Sequence, residues 1–335
     1  MHYPDVSVIM VNWNTRKLLC ECIESVYEHA GDVSCEIIVI DNASSDGSSA
    51  MVRDRFPEVR LIENPENCGF ARANNQGMQQ ASGRYVLLLN SDARPLGGAL
   101  EHVVEFADRN QDAAVVGCRV LNSDMTLQPT CFMFPSLLNM ILSSSYLYKL
   151  FANNRFCGRE RMTWWQRDDV RAVDVVTGCF MLVRRSAIES VGMLDDRFFM
   201  YAEETDWCYR FKQAGWRVLF TPEAQIVHHG GQSSRNVRPE MLIELRLSIL
   251  KFMKKHHGRF QYAIASALVF LFIALRLPLW FLLQNIPNEQ KSSAEARVRA
   301  YTGCIRKILL ANEARDRVPG RLTESAAQSA RGSAV

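Results

Sequence analysis

The sequence predicts an α/β protein: a mostly parallel, Rossmann-like sheet with helices on both faces, followed by a C-terminal helical segment suited to a membrane. Three observations predict it. Short β-branched runs alternate with stretches of helical period through the first hundred residues. The strand-like runs end on polar or acidic residues, which is where an open α/β sheet places its ligand crevice. Near the C-terminus, Tyr262 to Leu283 is almost wholly apolar.

In order, Val6 to Val11 is the first strand. A helix follows from Thr15 to Tyr27, with Leu18, Leu19, Cys22, Ile23 and Val26 at buried spacing, and then a strand from Ile37 to Ile40 that Asp41 ends. Asp46-Gly47-Ser48 opens another helix. Val59 to Ile62 reads as the third strand, Phe70 to Ala81 as a helix, and Tyr85 to Leu89 as the fourth strand, with Asn90-Ser91-Asp92 just past its end. Asn12, Asp41 and Asp92 therefore converge on one cleft. Later come strands at Ala114 to Gly117 and Val173 to Val183, and an apolar stretch from Phe132 to Phe151.

Composition narrows the class. The chain has 335 residues, 48% hydrophobic and 22% charged, enough for one large globular domain plus an appendage. A net charge of +3, with both signs interleaved, argues against a nucleic-acid partner. The ten cysteines form no C-x-x-C pair and read as reduced. Met1-His2-Tyr3-Pro4-Asp5 lacks the charged and apolar regions of a secretory signal, so the expected setting is cytosolic.

Four segments can carry chemistry. Asn90-Ser91-Asp92 offers a carboxylate through which a hard divalent cation can bridge to phosphate oxygens; as a turn or helix cap, Asp92 would have a purely structural role. Val227-His228-His229-Gly230-Gly231 can deliver an imidazole to the cleft on a tight loop, or hold surface histidines. Glu203-Glu204-Thr205-Asp206 lies between Phe198-Phe199-Met200-Tyr201 and Trp207, so a carboxylate there is held in apolar company that raises its pKa. Such a group suits a general base, and the same run also suits an acidic helix N-terminus. Asp41-Asn42-Ala43-Ser44-Ser45-Asp46-Gly47 can grip a ribose or base, or simply form a capped turn. No G-x-G-x-x-G follows the first strand and no G-x-x-x-x-G-K-[ST] occurs, which argues against a dehydrogenase and a P-loop enzyme.

Taken in order, these segments resemble glycosyltransferase family 2, particularly its bacterial rhamnosyltransferase-like members. The matching text is Ser7 to Asn14, Ile38 to Ser48, Glu63 to Asn75 and Leu89 to Asp92. Thr177-Gly178-Cys179, Gly192 to Asp195, Phe198 to Arg210 and Val227 to Gly231 continue it, so that it covers residues 5 to 235. The resemblance implies a GT-A fold in which Val11, Asn12, Asn14 and Asp41 hold the nucleoside, while Gly69, Phe70, Asn74 and Ser91 lie against the donor. It implies a metal site at Asp92 and His228 for Mg²⁺ or Mn²⁺. Asn90 stands where the family's D-x-D-like motif has its first acid, so Asp92 is that motif's only carboxylate. The family's E-D-x-D block is Glu203-Glu204-Thr205-Asp206 here, which puts Glu204 in the base position with one extra methylene and keeps Glu203 and Asp206 as alternatives.

The implied reaction is inverting transfer from a dTDP- or UDP-sugar, rhamnose by resemblance, to a lipid-linked saccharide at the cytoplasmic face of a membrane. Arg276 and Pro278 interrupt the apolar segment and basic residues flank both its ends, a symmetry that favours an interfacial or re-entrant helix over a single span. A buried helix packing on the domain is the alternative. The expected divisions are 1–115 for the donor half and 116–240 for the acceptor half of one catalytic domain, 241–311 for a membrane-associated helical segment, and 312–335 for a disordered tail. Other functional readings are a nucleotidyltransferase and a non-catalytic sugar-nucleotide-binding scaffold. The first would need an early Gly-rich phosphate loop, and three intact acids disfavour the second.

Overall fold

The computed structural model describes residues 3–230, 238–285 and 291–316. The first four strands are β1 (Val6–Asn12), β2 (Cys35–Asp41), β3 (Arg60–Glu63) and β4 (Tyr85–Leu89), joined by α1 (Arg16–His29), α2 (Ser48–Arg55) and α3 (Phe70–Gln80). They pair in parallel in the order β3-β2-β1-β4, with Asn12 opposite Asp41 and Asp41 opposite Glu63, so their polar C-terminal ends line up. The expected N-terminal elements are all present.

The next elements are β5 (Ala93–Pro95), α4 (Ala99–Arg109), β6 (Ala113–Leu121), β7 (Cys131–Phe132), α5 (Leu137–Ser145) and α6 (Leu147–Leu150). After them come β8 (Arg171–Ala172), β9 (Val175–Val176), β10 (Phe180–Arg184), α7 (Arg185–Val191), α8 (Glu203–Gln213) and β11 (Arg217–His228). Here the sheet turns mixed. β10 runs antiparallel to both β4 and β6, β11 lies parallel to β6, and β5 and β8 pair antiparallel with β11. β7 and β9 form a separate two-stranded sheet. The single strand expected over Val173 to Val183 is broken into β9 and β10. The break is at Thr177-Gly178-Cys179, where the ring of Phe70 would lie 3.0 Å from any Cβ on Gly178.

Alternation of side chains along the central strands fills both faces. Val8 and Met10 point into a core with Leu19, Ile23, Leu100 and Val103 of α1 and α4, whereas Ile9, Ile38 and Ile40 pack with Ala71 and Ala73 of α3 and Trp207 and Phe211 of α8. Each such fully buried Leu, Ile or Val contributes about 1.5–3 kcal/mol over its exposed state. All ten cysteines are free thiols.

The C-terminal helices are α9 (Arg238–His256), α10 (Gly258–Ala274), α11 (Leu277–Leu283) and α12 (Lys291–Asp316). The chain divides by contacts into 1–268 and 269–335. The compact division falls at Leu268, inside α10 and beyond the expected boundary at 240, because α9 and the first part of α10 belong to the first unit. Phe252 packs against Phe134 and Tyr209, and Ser248 Oγ donates to the Met200 carbonyl at 3.0 Å. In the second unit the α11–α12 pair is joined by Arg297, whose guanidinium lies 4.3 Å from the Trp280 ring centroid. Residues 312–316 of the expected tail are helical, and the rest of it lies outside the described residues.

Candidate active site

A cleft of about 410 Å³ opens at the C-terminal ends of β1, β2 and β4, a volume suited to a small-molecule ligand. Its floor is a buried polar network. Asn12 Nδ2 donates to Asp41 Oδ1 at 2.8 Å and to Ser44 Oγ at 3.0 Å, while Ser44 N donates to Asp41 Oδ2 at 2.9 Å. Thr15 Oγ1 donates to Asn12 Oδ1 at 2.6 Å and lies 2.9 Å from Ser91 Oγ, which ties the loop after β1 to the loop after β4. Asn12 and Asp41 are therefore just beneath the cavity surface, where they order the loops that Val11, Trp13 and Asn42 present to it.

One wall comes from the loop before α3. Gly69 has φ +86°, and a Cβ there would stand 2.3 Å from the Phe199 carbonyl oxygen, which accepts from Phe70 N at 2.7 Å. Gly69 and Phe70 line the cleft. Asn74, expected against the donor, is instead buried one turn along α3 and donates to the Phe70 carbonyl at 2.9 Å; it supports this wall and does not line the cleft. Asn14, in the left-handed region at φ 55°, is exposed and accepts from Ser45 N at 2.8 Å, which also sets it off the lining.

Asp92 and His228 are 136 positions apart and meet through one short strand. The β5–β11 pairing places His228 opposite Ala93, and His229 N donates to the Asp92 carbonyl at 3.0 Å. Asp92 Oδ1 then lies 3.1 Å from His228 Nε2, with both residues buried. His228 Nδ1 is 2.6 Å from Gln128 Oε1, an oxygen that can only accept. The ring proton on Nδ1 leaves the Nε2 lone pair facing a carboxylate oxygen. That contact calls for a proton or cation between the two atoms. Adjacent ligands on an octahedral cation with bonds of ~2.1 Å lie about 3 Å apart, so the pair fits a divalent ion. Among the described residues no third His, Cys, Asp or Glu joins them. Asn90 Nδ2 approaches His228 Nε2 at 3.2 Å.

The opposite wall carries the acids. Tyr201 and Ala202 both take left-handed backbone, at φ 67° and 64°, and α8 starts directly after them. Such strain costs on the order of 1–3 kcal/mol per residue and is found where surrounding structure fixes a functional geometry. Glu203 and Glu204 are turned into the cleft. Each has an Oε2 closed off from solvent and without a hydrogen-bond partner. Burial pushes the Glu204 carboxyl up to about 7, against the pull of the amides at the start of α8. Burial, with the Glu204 charge beside it, holds Glu203 well above the usual carboxylate range. The helix-terminus and cleft-acid readings of this segment both hold.

Asp206 departs from its expected place. It is fully buried outside the cleft lining, where Oδ1 meets Lys255 Nζ and His256 Nε2, each at 2.6 Å, and Oδ2 meets Arg210 Nε at 2.8 Å. Burial pushes its carboxyl up, but His256, Lys255 and Arg210 outweigh that and hold it below the usual range. A carboxylate saturated by Lys255, Arg210 and the His256 ring, and outside the cleft lining, is a fastener between α8 and α9 and is unsuited to proton abstraction.

The lining also includes Trp13, Asn67, Gln128, Pro129 and Thr130, to which the sequence assigned no role, and Met200 and Tyr201, read there only as apolar neighbours of the acids. Asn67 lies inside a recognisable block. Gln128 is on an irregular loop with no local signal.

The sheet order, the cleft and the acids at its rim define a GT-A glycosyltransferase. A mannosyltransferase from Pyrobaculum calidifontis, solved with GDP-Man and Mn²⁺, superposes with a TM-score of 0.55 at 16% identity, covering 92% of this chain and 88% of that one. The chain belongs to glycosyl transferase family 2, whose family model matches residues 7–192. It is similar to the N-acetylglucosaminyl-diphospho-decaprenol L-rhamnosyltransferase of Mycobacterium tuberculosis, with 28% identity over 233 residues, 66% of this chain and 75% of the relative. It is also similar to the low-salt glycan biosynthesis hexosyltransferase of Haloferax volcanii, with 24% identity across 82% of this chain and 84% of that one.

Proposed function

We propose that this glycosyltransferase moves a sugar, rhamnose in the first instance, from a dTDP- or UDP-linked donor to a hydroxyl of a lipid-linked saccharide, with inversion at the anomeric carbon. The observation that carries the reading is Glu204. It is an acid whose buried Oε2 is left without a partner in the cleft and whose pKa is raised to about 7, so it is poised to take a proton near neutral pH. Similarity to a rhamnosyltransferase whose name carries a diphospho-decaprenol-linked sugar supports rhamnose and the acceptor class.

In the reaction, Glu204 accepts the acceptor hydroxyl proton while that oxygen forms its bond to the anomeric carbon. The bond to the nucleoside diphosphate breaks on the opposite side and the diphosphate leaves with the electron pair. No enzyme-bound sugar is needed. Glu203 stays protonated beside the base, and Gly69 and Phe70 hold the donor wall. Asp92 and His228 would hold Mg²⁺ or Mn²⁺, which supplies positive charge to the leaving diphosphate.

The proposed setting is the cytoplasmic face of a membrane, in cell-surface polysaccharide synthesis. Gly258–Leu283 is long and apolar enough to cross a bilayer by length and composition, at a mean hydropathy of 2.2. It is built as two helices with a turn at Leu275-Arg276, where Arg276 Nη1 donates to the Phe272 carbonyl at 3.1 Å. The break suits an interfacial or re-entrant placement.

The test is a panel of nucleotide sugars with Mn²⁺ and with EDTA, read by thermal stabilisation and then by transfer to a synthetic N-acetylglucosaminyl-diphospho-lipid. Metal-dependent stabilisation by dTDP-rhamnose followed by product formation is expected. Stabilisation only by another nucleotide sugar would overturn the assigned donor.

A further inference from the structure

We propose that residues 137–161 form a docking surface for an anionic phospholipid bilayer. The inference rests on the membrane setting proposed above but uses a different surface, one inside the unit that carries the cleft.

α5 buries Asn139, Met140 and Leu142 and turns Leu138 and Ile141 outward, three positions apart and so on one face. Exposure continues along the chain through Tyr146, Leu150 at 76%, Phe151 at 54% and Phe156 at 57%. Single exposed apolar residues are normal on a soluble protein, but a consecutive run of large ones marks an interaction surface. The backbone that presents them is ordered. Asn154 Oδ1 accepts from Phe156 N at 2.9 Å and Cys157 N at 3.0 Å, and Thr163 Oγ1 donates to the Ala152 carbonyl at 2.6 Å. The rings are therefore held outward by a folded loop.

Charge selects the occupant. Lys149, Arg155, Arg159 and Arg161 fall within the segment against a single acid, Glu160. Lys149 lies 5.0 Å from the Tyr146 ring, Arg161 lies 4.9 Å from Tyr148 and Arg155 lies 4.7 Å from Trp164. Cations standing beside aromatic rings at the edge of an apolar run match the headgroup boundary, where rings and aliphatic side chains enter the acyl region and cations meet lipid phosphates. Such cations are drawn to an anionic surface within a Debye length of it. Four cations against one acid call for an anionic surface as the occupant. The chain also runs directly into this surface from Gln128, Pro129 and Thr130 of the cleft wall through β7.

Hydrogen exchange of the full chain tests the proposal, with no vesicles, with phosphatidylcholine vesicles, and with vesicles containing phosphatidylglycerol. Amides in 146–157 should slow at least several-fold with phosphatidylglycerol and little with phosphatidylcholine alone. In the variant Leu150→Asp/Phe151→Asp/Phe156→Asp the slowing should vanish at 146–157 and persist at 258–283. Retained stabilisation by nucleotide would show that this variant folds, and Lys149→Glu/Arg155→Glu gives a second, milder variant with the same expectation. Unchanged exchange at 146–157 beside slowed 258–283 would overturn this surface alone, and no change at either would also remove the membrane setting. Equal slowing by neutral vesicles, or slowing that follows protein concentration without vesicles, would overturn the anionic-lipid assignment.

Discussion

His228 Nε2 lies 3.1 Å from Asp92 Oδ1, and the Nδ1 atom of the same ring is fixed by Gln128. Gln128 is itself anchored, since its Nε2 donates to Asn122 Oδ1 at 2.8 Å. The imidazole is thus oriented from behind and offers its second nitrogen to the cleft. Gln128→Leu should weaken Mn²⁺-dependent nucleotide binding by about 10- to 100-fold in calorimetry, and Asp92→Asn or His228→Ala by more than that. Unchanged binding in the presence of EDTA would separate a lost metal site from a lost fold.

The raised pKa of Glu204 sets the pH profile. Only the ionised carboxylate accepts a proton, so kcat should climb as pH rises through about 7 and level off above it. Glu203, held neutral in this range by burial and by the Glu204 charge, should tolerate Gln with turnover within several-fold of the parent.

The same group links stability to pH. Its folded pKa of about 7 exceeds the ordinary 4.5, so between those values the native state binds more protons than the unfolded state. Stability should therefore fall as pH rises across that window, by about 3 kcal/mol at most, and then level off. Glu204→Gln removes this cost. Its Tm should exceed the parent's above pH 7, and the difference should shrink towards pH 4.5.

Asp206 makes the opposite case. Replacing it with Asn leaves Lys255, His256 and Arg210 around a neutral amide, which should destabilise the fold by about 3–5 kcal/mol in urea denaturation. Its depressed pKa contributes stability that is present above the ordinary carboxylate pKa and is lost as pH falls below it. Donor binding by the Asp206→Asn variant, measured well below its melting point, should remain.

Much of this was legible in the sequence where the signal was local. β1 to β4 are short apolar runs with polar ends, and in-register parallel pairing brings Asn12 and Asp41 together as their positions at strand ends imply. That a carboxylate of the 203–206 block is held in apolar company could be read from neighbours adjacent in sequence, whereas Glu204 in particular was legible only through family resemblance. The Asp92–His228 meeting was legible only through family resemblance, because it depends on a three-residue strand and on antiparallel pairing across the sheet. The fastening role of Asp206 was hidden for a related reason, since its partners Lys255 and His256 come from a helix some fifty residues later. Asn74 follows the family pattern, yet its place on the third helix gives it a backbone carbonyl to satisfy.

The most direct test of the central claim is transfer by Glu204→Gln, measured with a donor–acceptor pair that the parent chain turns over, alongside donor affinity by calorimetry. Loss of the base predicts a fall in kcat of about 10²–10⁴-fold with donor Kd unchanged within twofold. Turnover within about threefold of the parent would contradict the assignment of Glu204 as the group that takes the acceptor's proton.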